Sequence, residues 1–240
     1  RGREFMMKYL YSFHASEADL GEYYEKVKNA YYKIFERCGL KTIYTLAPGG
    51  NFTASNTHEF QVASSVGEDV IFVCSKCDYA ENKEISKLKN GGKCPKCNGK
   101  IEMKNAIEVG NIFPLGTKYS TAFNLQFINP EGGKEFVTMG SYGIGLGRVM
   151  GTAIEIHHDG KGIVWPEEIT PFKVHLIEIT ASDSSVKKQA EKIYKNLVDK
   201  GVEVLYDDRD NKTAGEKFAD ADLIGIAWRA VISQKTLKKD

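Results

Sequence analysis

The chain has 240 residues, 42% hydrophobic and 27% charged, with 33 Lys plus Arg against 32 Asp plus Glu and a net charge of +1. That is enough chain to bury a core without disulfides or metal, and the charge balance excludes a dominant basic arm or acidic tail. No apolar run approaches the roughly 18 residues of a membrane span.

The first fourteen residues, RGREFMMKYLYSFH, alternate as a strand edge would, with Arg1, Arg3 and Lys8 around Phe5. They hold no apolar signal core, and the start on Arg1 instead of Met is read as the mark of a piece of a longer chain. A helix is predicted over 16–38. Ser16 with Asp19 resembles a capping box; Leu20, Tyr23, Tyr24, Val27, Tyr31, Ile34 and Phe35 recur at helical spacing, and Gly39 stops the run. This aromatic stripe reads as core packing and Cys38 as a small buried side chain. Residues 41–73 read as short strands joined by Pro48-Gly49-Gly50 and polar turns.

Four of the five cysteines follow as two knuckles, Cys74-Ser-Lys-Cys77 and Cys94-Pro-Lys-Cys97. Their spacing is that of a closed, structural four-cysteine zinc ribbon. Two disulfides or a redox pair are the alternative. Residues 74–104 carry eight Lys against four Asp plus Glu, so this insert stays slightly basic even with a zinc tetrathiolate of about −2. It offers a surface for RNA, or simply a solvated lysine face.

Strands are predicted near 105–113, 122–128 and 135–139. The last runs into a glycine-rich turn, Gly140-Ser-Tyr-Gly-Ile-Gly-Leu-Gly, and a helix to about His158. Glycines let a ligand approach the backbone, and Arg148 inside a helix N-terminus suits phosphate. A plain packing turn is the alternative. The segment is neither a P-loop nor a dinucleotide fingerprint, because Arg148 stands where the last glycine of the latter falls. Thr57-His58-Glu59-Phe60, Gly110-Asn-Ile-Phe113 and 116–120 offer polar groups beside aromatics, as a small amino-acid pocket would. His58 next to Glu59 reads as acid–base chemistry or as a hydrogen-bonded positioning group. Residues 165–171 read as a linker. Beyond them a strand at 174–179, a helix at 184–200 closed by Gly201, a strand at 202–206, a helix at 213–222 and a strand at 230–233 predict a small α/β domain with a parallel sheet.

Taken together, RGREFMMK with YSF, GEDVIFVCSKCDYAENKE, EVGNIFPLGTKYS, MGSYGIGLGR, GIVWPEEITPF, VEVLYDDRD and GEKFADADLIGI resemble the bacterial-type prolyl-tRNA synthetases of class II, in order and over nearly the whole chain. The resemblance implies an α+β catalytic domain with an antiparallel sheet over 1–170, interrupted by the zinc insert at about 74–104. An α/β anticodon-binding domain with a parallel or mixed sheet then occupies 171–240. Both domains are expected to be partial.

The resemblance also implies the chemistry. Proline would be activated by ATP with Mg²⁺ and passed to the 3′ end of tRNA(Pro), in the cytoplasm, by a homodimer with no membrane contact. A non-catalytic tRNA-binding paralogue is the alternative. Phe5 would stack on adenine, with Arg1 and Arg3 near the phosphates, Gly143 and Gly145 under the adenosine, and Arg148 on the γ-phosphate; Arg148 and Arg3 would be the catalytic cations. Thr57, His58, Glu59, Phe60, Gly110, Phe113 and Ser141 would line the proline pocket. Asp207, Asp208 and Arg209 would face the anticodon stem, and Cys74, Cys77, Cys94 and Cys97 would hold Zn²⁺. The chain departs from the family at Tyr9, usually acidic, at Pro48 and Thr53-Ala54, at Asn111, often His, and at Ser141, often Cys. The long editing insertion is expected to be replaced by the ribbon, leaving no editing in cis. Motif 1, the first arginine strand of motif 2 and the Thr-x-Glu loop would precede Arg1, so the piece alone is expected to be inactive.

Overall fold

The computed structural model describes residues 4–180 and 184–238. The chain forms two compact units that divide between Thr152 and Ala153.

In the first unit, strand β1 (Met7–His14) leads into helix α1 (Glu17–Arg37). Ser16 caps α1 by accepting from the Asp19 N–H, and Cys38 ends it as a half-buried cap residue. Strands β2 (Ile43–Ala47), β3 (Thr57–Ala63), β4 (Asp69–Cys74) and β5 (Ala80–Asn82) precede the 16-residue β6 (Ile101–Gly116). A short helix α2 (Lys118–Ala122), a hairpin of β7 (Gln126–Ile128) and β8 (Lys134–Phe136), β9 (Thr138–Gly145) and helix α3 (Leu146–Ile156) follow.

Seven strands pair in the order β1-β9-β6-β3-β2-β5-β4, and β4 also pairs with β6, so five of them close into a ring. All pairings are antiparallel except the single β2–β5 bridge. Helix α1 lays its aromatic stripe on one face. Leu20, Tyr24, Val27, Tyr31 and Phe35 are buried there against Phe60, Ile112, Tyr142 and Ile144. Tyr31 and Phe35 each hold their ring centroid within 5.8 Å of a neighbour, and both meet Phe60 at 5.3 Å. A chain Asp19–His14–Ser12–Tyr142, with steps of 2.9, 2.8 and 2.9 Å, ties α1 to β1 and β9 on the same side.

Two segments differ from the sequence expectation. Residues 118–122 are helical and 123–125 turn, so the strand expected over 122–128 shrinks to Gln126–Ile128. Gly140, Gly143 and Gly145 lie within β9, not in a turn. Their extended backbone is held by antiparallel neighbours on both sides, β1 and β6, which outweighs the low strand preference of glycine.

The second unit holds three parallel strands in the order β11 (Val204–Asp207), β10 (Val174–Ile179), β12 (Trp228–Ser233). Helices α4 (Ser184–Asp199), α5 (Ala214–Ile224) and α6 (Gln234–Leu237) accompany them. Leu176, Val186, Ala190, Val204 and Ile232 form the core. Thr213 and Glu216 make a reciprocal capping box on α5, which Gly225 ends at φ 76°, a left-handed conformation where a Cβ would also strike the Ile163 backbone. Among the described residues no helix is long and apolar enough to cross a membrane.

Phe35 is fully buried under the sheet. Phe35→Ala is expected to lower stability by about 3–5 kcal/mol, read from urea denaturation followed by circular dichroism. A loss under about 1 kcal/mol would show that α1 does not anchor the sheet.

Candidate functional site

Strand alternation sorts the expected site residues onto two faces. Registers across the sheet align Tyr9, Gly143, Asn111 and Glu59 in one row, and Tyr11, Ser141 and Phe113 in the next, with Thr57 two places before Glu59 on the same side of β3. These rows face away from α1. Tyr9 and Tyr11 are exposed and stack at 6.0 Å.

Between Tyr9 and Asn111 lies Gly143, which has no side chain and is covered by those of its neighbours. A Cβ on Gly143 would come within 3.0 Å of Met7 Cε and 3.4 Å of Asn111 Oδ1. Gly145 ends β9 opposite Met7, and a Cβ there would meet Arg148 Cβ at 3.6 Å. Arg148 follows in the first turn of α3, half exposed, its Nη1 donating to Glu108 Oε2 at 2.7 Å and to the Glu108 carbonyl at 3.1 Å. Glu108 Oε1 accepts from Asn111 Nδ2 at 2.8 Å. Phe5, 66% exposed, precedes β1 near this end, where the Leu146 N–H bonds the Met6 carbonyl. Arg1 and Arg3 lie outside the described residues.

Of the seven expected pocket residues, the structure brings Glu59, Phe113, Ser141 and Thr57 to this face. Phe113 packs on Phe52 at 4.9 Å, Ser141 is buried, and the Thr57 hydroxyl donates to the Ile112 carbonyl. The other three turn toward α1, because neighbours on a strand point to opposite sides. Phe60 is fully buried among Tyr31, Tyr32, Phe35 and Tyr44. Gly110 leaves its Cβ side to the Phe35 ring, 3.0 Å from where that Cβ would stand. His58 stacks on Tyr44 at 4.2 Å, with Nδ1 3.0 Å from Tyr24 Oη. Tyr24 gives its one hydroxyl proton to the Ile112 carbonyl at 2.8 Å, so His58 Nδ1 is the donor in that contact. Burial, with the Lys28 charge second, lowers the His58 pKa to about 4 and keeps it neutral. His58 is a hydrogen-bonded positioning group here, not an acid–base pair with Glu59.

Sequence reasoning missed the acids around Glu59. Gln61 Nε2 bridges Glu59 and Asp69 at 2.9 Å each, and Asn82 Nδ2 reaches Glu59 at 3.2 Å. Burial, then the Glu108 charge, pushes the Glu59 carboxyl up to about 7 against these two amide donors. Glu108 stood three places before the singled-out Asn111. Only the pairing of β6 with β3 and β9 shows that it shares a face with Glu59.

The four cysteines converge as their spacing implied. Their sulfurs lie within 4.8 Å of one another, with Cys74–Cys97 at 3.4 Å and Cys77–Cys94 at 3.7 Å. A disulfide needs about 2.05 Å, while zinc bonds of about 2.3 Å in a tetrahedron set sulfurs about 3.8 Å apart. Each knuckle aims a backbone N–H at its first sulfur, Lys76 to Cys74 and Lys96 to Cys94, both at 3.4 Å. The Lys76 N–H helps draw the Cys74 thiol down to about 6, toward the thiolate that binds metal. Asn98, at φ 60°, supplies the left-handed turn after the second knuckle. The donor set fits a structural zinc.

In the second unit, Asp207 is buried and faces inward. Its carboxylate takes Arg209 Nε at 2.8 Å and Nη2 at 2.7 Å, a bidentate pair that holds its pKa below the usual carboxylate range. Arg209 Nη1 meets Asp220 at 2.8 Å, and buried Lys217 donates to the Glu178 and Asp207 carbonyls at 2.7 and 3.3 Å. Asp208 and Arg209 are exposed, and of the expected three Asp208 alone stays outside this network. A cavity of about 400 Å³ lies beside it, lined by His175, Tyr206, Arg209, Asp220 and apolar Leu205 and Leu223. His175 Nδ1 is buried with no hydrogen-bond partner among the described residues.

Comparison with known proteins places these features in a family. Residues 1–157 match the class II tRNA synthetase core domain (G, H, P, S and T), and residues 173–240 match the anticodon-binding domain. A probable mitochondrial proline–tRNA ligase of Schizosaccharomyces pombe is 39% identical over 98% of this chain and 56% of its own length. The proline–tRNA ligase of Rhodopseudomonas palustris strain HaA2 is 36% identical over 99% of this chain and 59% of its own. That of Citrifermentans bemidjiense is 30% identical over 99% and 67%, in an alignment of 387 residues, so it carries a long stretch that this 240-residue chain does not. The chain spans less than three fifths of the first two relatives. It belongs to the class II tRNA synthetases, in the proline–tRNA ligase family.

Two outcomes check the site. Metal analysis of the reduced protein should give about one zinc per chain, and Cys94→Ser should abolish retention; none bound by the reduced protein would refute the four-cysteine centre. The raised Glu59 pKa means that, between the ordinary value of 4.5 and about 7, the folded chain holds a proton that the unfolded chain has released. Stability therefore falls as pH rises through that window, and Glu59→Gln should flatten the fall. Identical urea midpoint profiles for the two proteins would show that Glu59 titrates normally.

Proposed function

We propose that the chain is the larger part of a proline–tRNA ligase, activating proline with ATP and passing it to tRNA(Pro). One observation carries this reading: Gly143, flanked by Tyr9 and Asn111 on a strand that leads to Arg148 in the first turn of a helix, in a chain whose relatives are proline–tRNA ligases. Those relatives favour a ligase over a non-catalytic paralogue.

In this reading the adenosine lies over Gly143 and Gly145 with Phe5 on the adenine, and Arg1, Arg3 and Arg148 meet the phosphates. Arg148 reaches them by leaving Glu108, a half-exposed ion pair that is cheap to open. Glu108 and Asn111 would then hold Mg²⁺ through their oxygens, and the ion would supply charge neutralisation at the pyrophosphate. The proline carboxylate attacks the α-phosphorus in line, and the ribose hydroxyl of tRNA then attacks the adenylate. Both steps rest on positioning and charge neutralisation. Glu59, Phe113, Ser141 and Thr57 line the proline side, while His58, Phe60 and Gly110 set that floor from behind. The zinc is structural and stands where an editing insertion would, so editing in cis is not expected. On the second unit Asp208 and the outer edge of Arg209 face the anticodon stem, with Asp207 holding Arg209 in place. We keep the catalytic domain at 1–170 and the anticodon-binding domain at 171–240, in a cytoplasmic homodimer.

The test is exchange of pyrophosphate into ATP by the full-length gene product. Exchange should depend on proline and not on threonine or histidine, and its absence would sink the ligase reading. Arg148→Ala should raise the ATP requirement and slow adenylate formation by roughly 10²–10³-fold, the usual cost of removing one charge-stabilising donor. Unchanged exchange kinetics would reject that role.

A further inference from the structure

Gln61 on β3 is fully buried, and its donors are spent on carboxylates. Its Nε2 donates to Glu59 Oε2 and Asp69 Oδ2 at 2.9 Å each, while its Oε1 is buried with no hydrogen-bond partner among the described residues. Turned over, the amide would set that oxygen against two acids, so the two acceptors fix its orientation. Asn82, buried at the end of β5, donates to the same Glu59 Oε2 at 3.2 Å, and its own Oδ1 is held by the Glu84 N–H at 3.0 Å. Two amides from two strands thus grip one oxygen of Glu59. The other, Oε1, has no hydrogen-bond partner among the described residues, and Glu59 makes no ion pair there. An unpaired buried acceptor costs stability and calls for a reason. The grip on Glu59 supplies one for Gln61.

A metal shared by these acids does not fit the free oxygen. Gln61 Nε2 fills the space between Glu59 and Asp69, and among the described residues the four cysteines are the one group of three or more ligating side chains that come together. A cation that donates a hydrogen bond to a single oxygen does fit. Burial and the Glu108 charge push the Glu59 carboxyl up to about 7, and a cation beside it would draw it back down. Glu59 pairs with Asn111, two places before Phe113 on β6, which makes Glu59 and Phe113 diagonal neighbours. Such neighbours lie about 7–8 Å apart, close enough for one small ring to touch both. Of the four residues on the proline side, Thr57, Phe113 and Ser141 are neutral and Glu59 alone carries charge. We propose that Glu59 Oε1 accepts the ring ammonium of proline, and that Gln61 and Asn82 are positioning residues that aim it. This rests on the proline–tRNA ligase reading and names the group that reads the amino-acid nitrogen. A carboxylate held against rotation by two amides favours a charged N–H over an uncharged ring atom.

The full-length gene product would be titrated calorimetrically with proline and with tetrahydrofuran-2-carboxylate, in which an ether oxygen replaces the ring nitrogen. The parent should prefer proline by about 10–100-fold, the range of one charged hydrogen bond. Glu59→Gln should bring that preference close to unity and leave affinity for the ether unchanged. Gln61→Met, similar in volume but without a donor, should cut the preference by about tenfold, again through proline alone. If Gln61→Met does not fold, Asn82→Leu removes the other donor and is read in the same way. Equal losses for both ligands would assign the amides to holding the sheet and overturn their positioning role. A preference unchanged in Glu59→Gln overturns the proposal, as does a parent that binds the two ligands alike. None of these results touches the ligase reading, which stands or falls on proline-dependent exchange by the parent.

Discussion

Tyr24, Tyr31 and Phe35 of α1 press on Phe60, Tyr142 and Gly110, and that contact decides which side of the sheet is left for chemistry. Once one face is sealed by aromatic rings, strand alternation leaves the intervening residues pointing the other way. Gly143 beside Tyr142, Glu59 beside Phe60 and Asn111 beside Ile112 turn to the other face because their neighbours take this one. The small residues have two distinct jobs. Gly110 makes room for Phe35 behind the sheet, and Gly143 makes room for Met7 and Asn111 in front of it.

The front face is electrostatically uneven. Glu59, Asp69 and Glu108 crowd around Gln61, and Arg148 is the cation that Glu108 holds. Such a face disfavours anions unless cations balance it. Keeping Glu59 close to neutrality lowers the repulsion among the three acids. The second unit solves its charges differently. Asp207, Arg209, Asp220, Lys217 and Glu178 satisfy one another locally, leaving little of that network free for a partner.

What was legible in the sequence was local. The two knuckles declared themselves because four ligands within 24 residues need only tight turns to meet. Helix α1 did so because its stripe repeats every three to four residues and its cap is adjacent. What was not legible depended on pairing across the chain. Thr57-His58-Glu59-Phe60 read as one pocket, yet the strand splits it into two faces. Glycines 140, 143 and 145 read as a turn because their preference is weak, and only β1 and β6 on either side make them a strand. Asp207 and Arg209 read as a charged surface motif, although two residues apart on an ending strand they close on each other.

Strand β6 runs from the cysteine ribbon to the face that holds Glu59, pairing in turn with β4, β3 and β9, with a register shift against β3 at Val109 that lets Glu108 and Asn111 share a face. A slip of one residue beyond that shift would carry Asn111 and Phe113 to the sealed side and bring Gly110 and Ile112 forward. The cysteine knuckles grip the start of that strand, where the Ile101 N–H bonds Gly92 and Gly91 bonds back to Ile101. The ribbon thus sets the phase of β6 only as far as that shift, and β3 and β9 decide beyond it which residues look out.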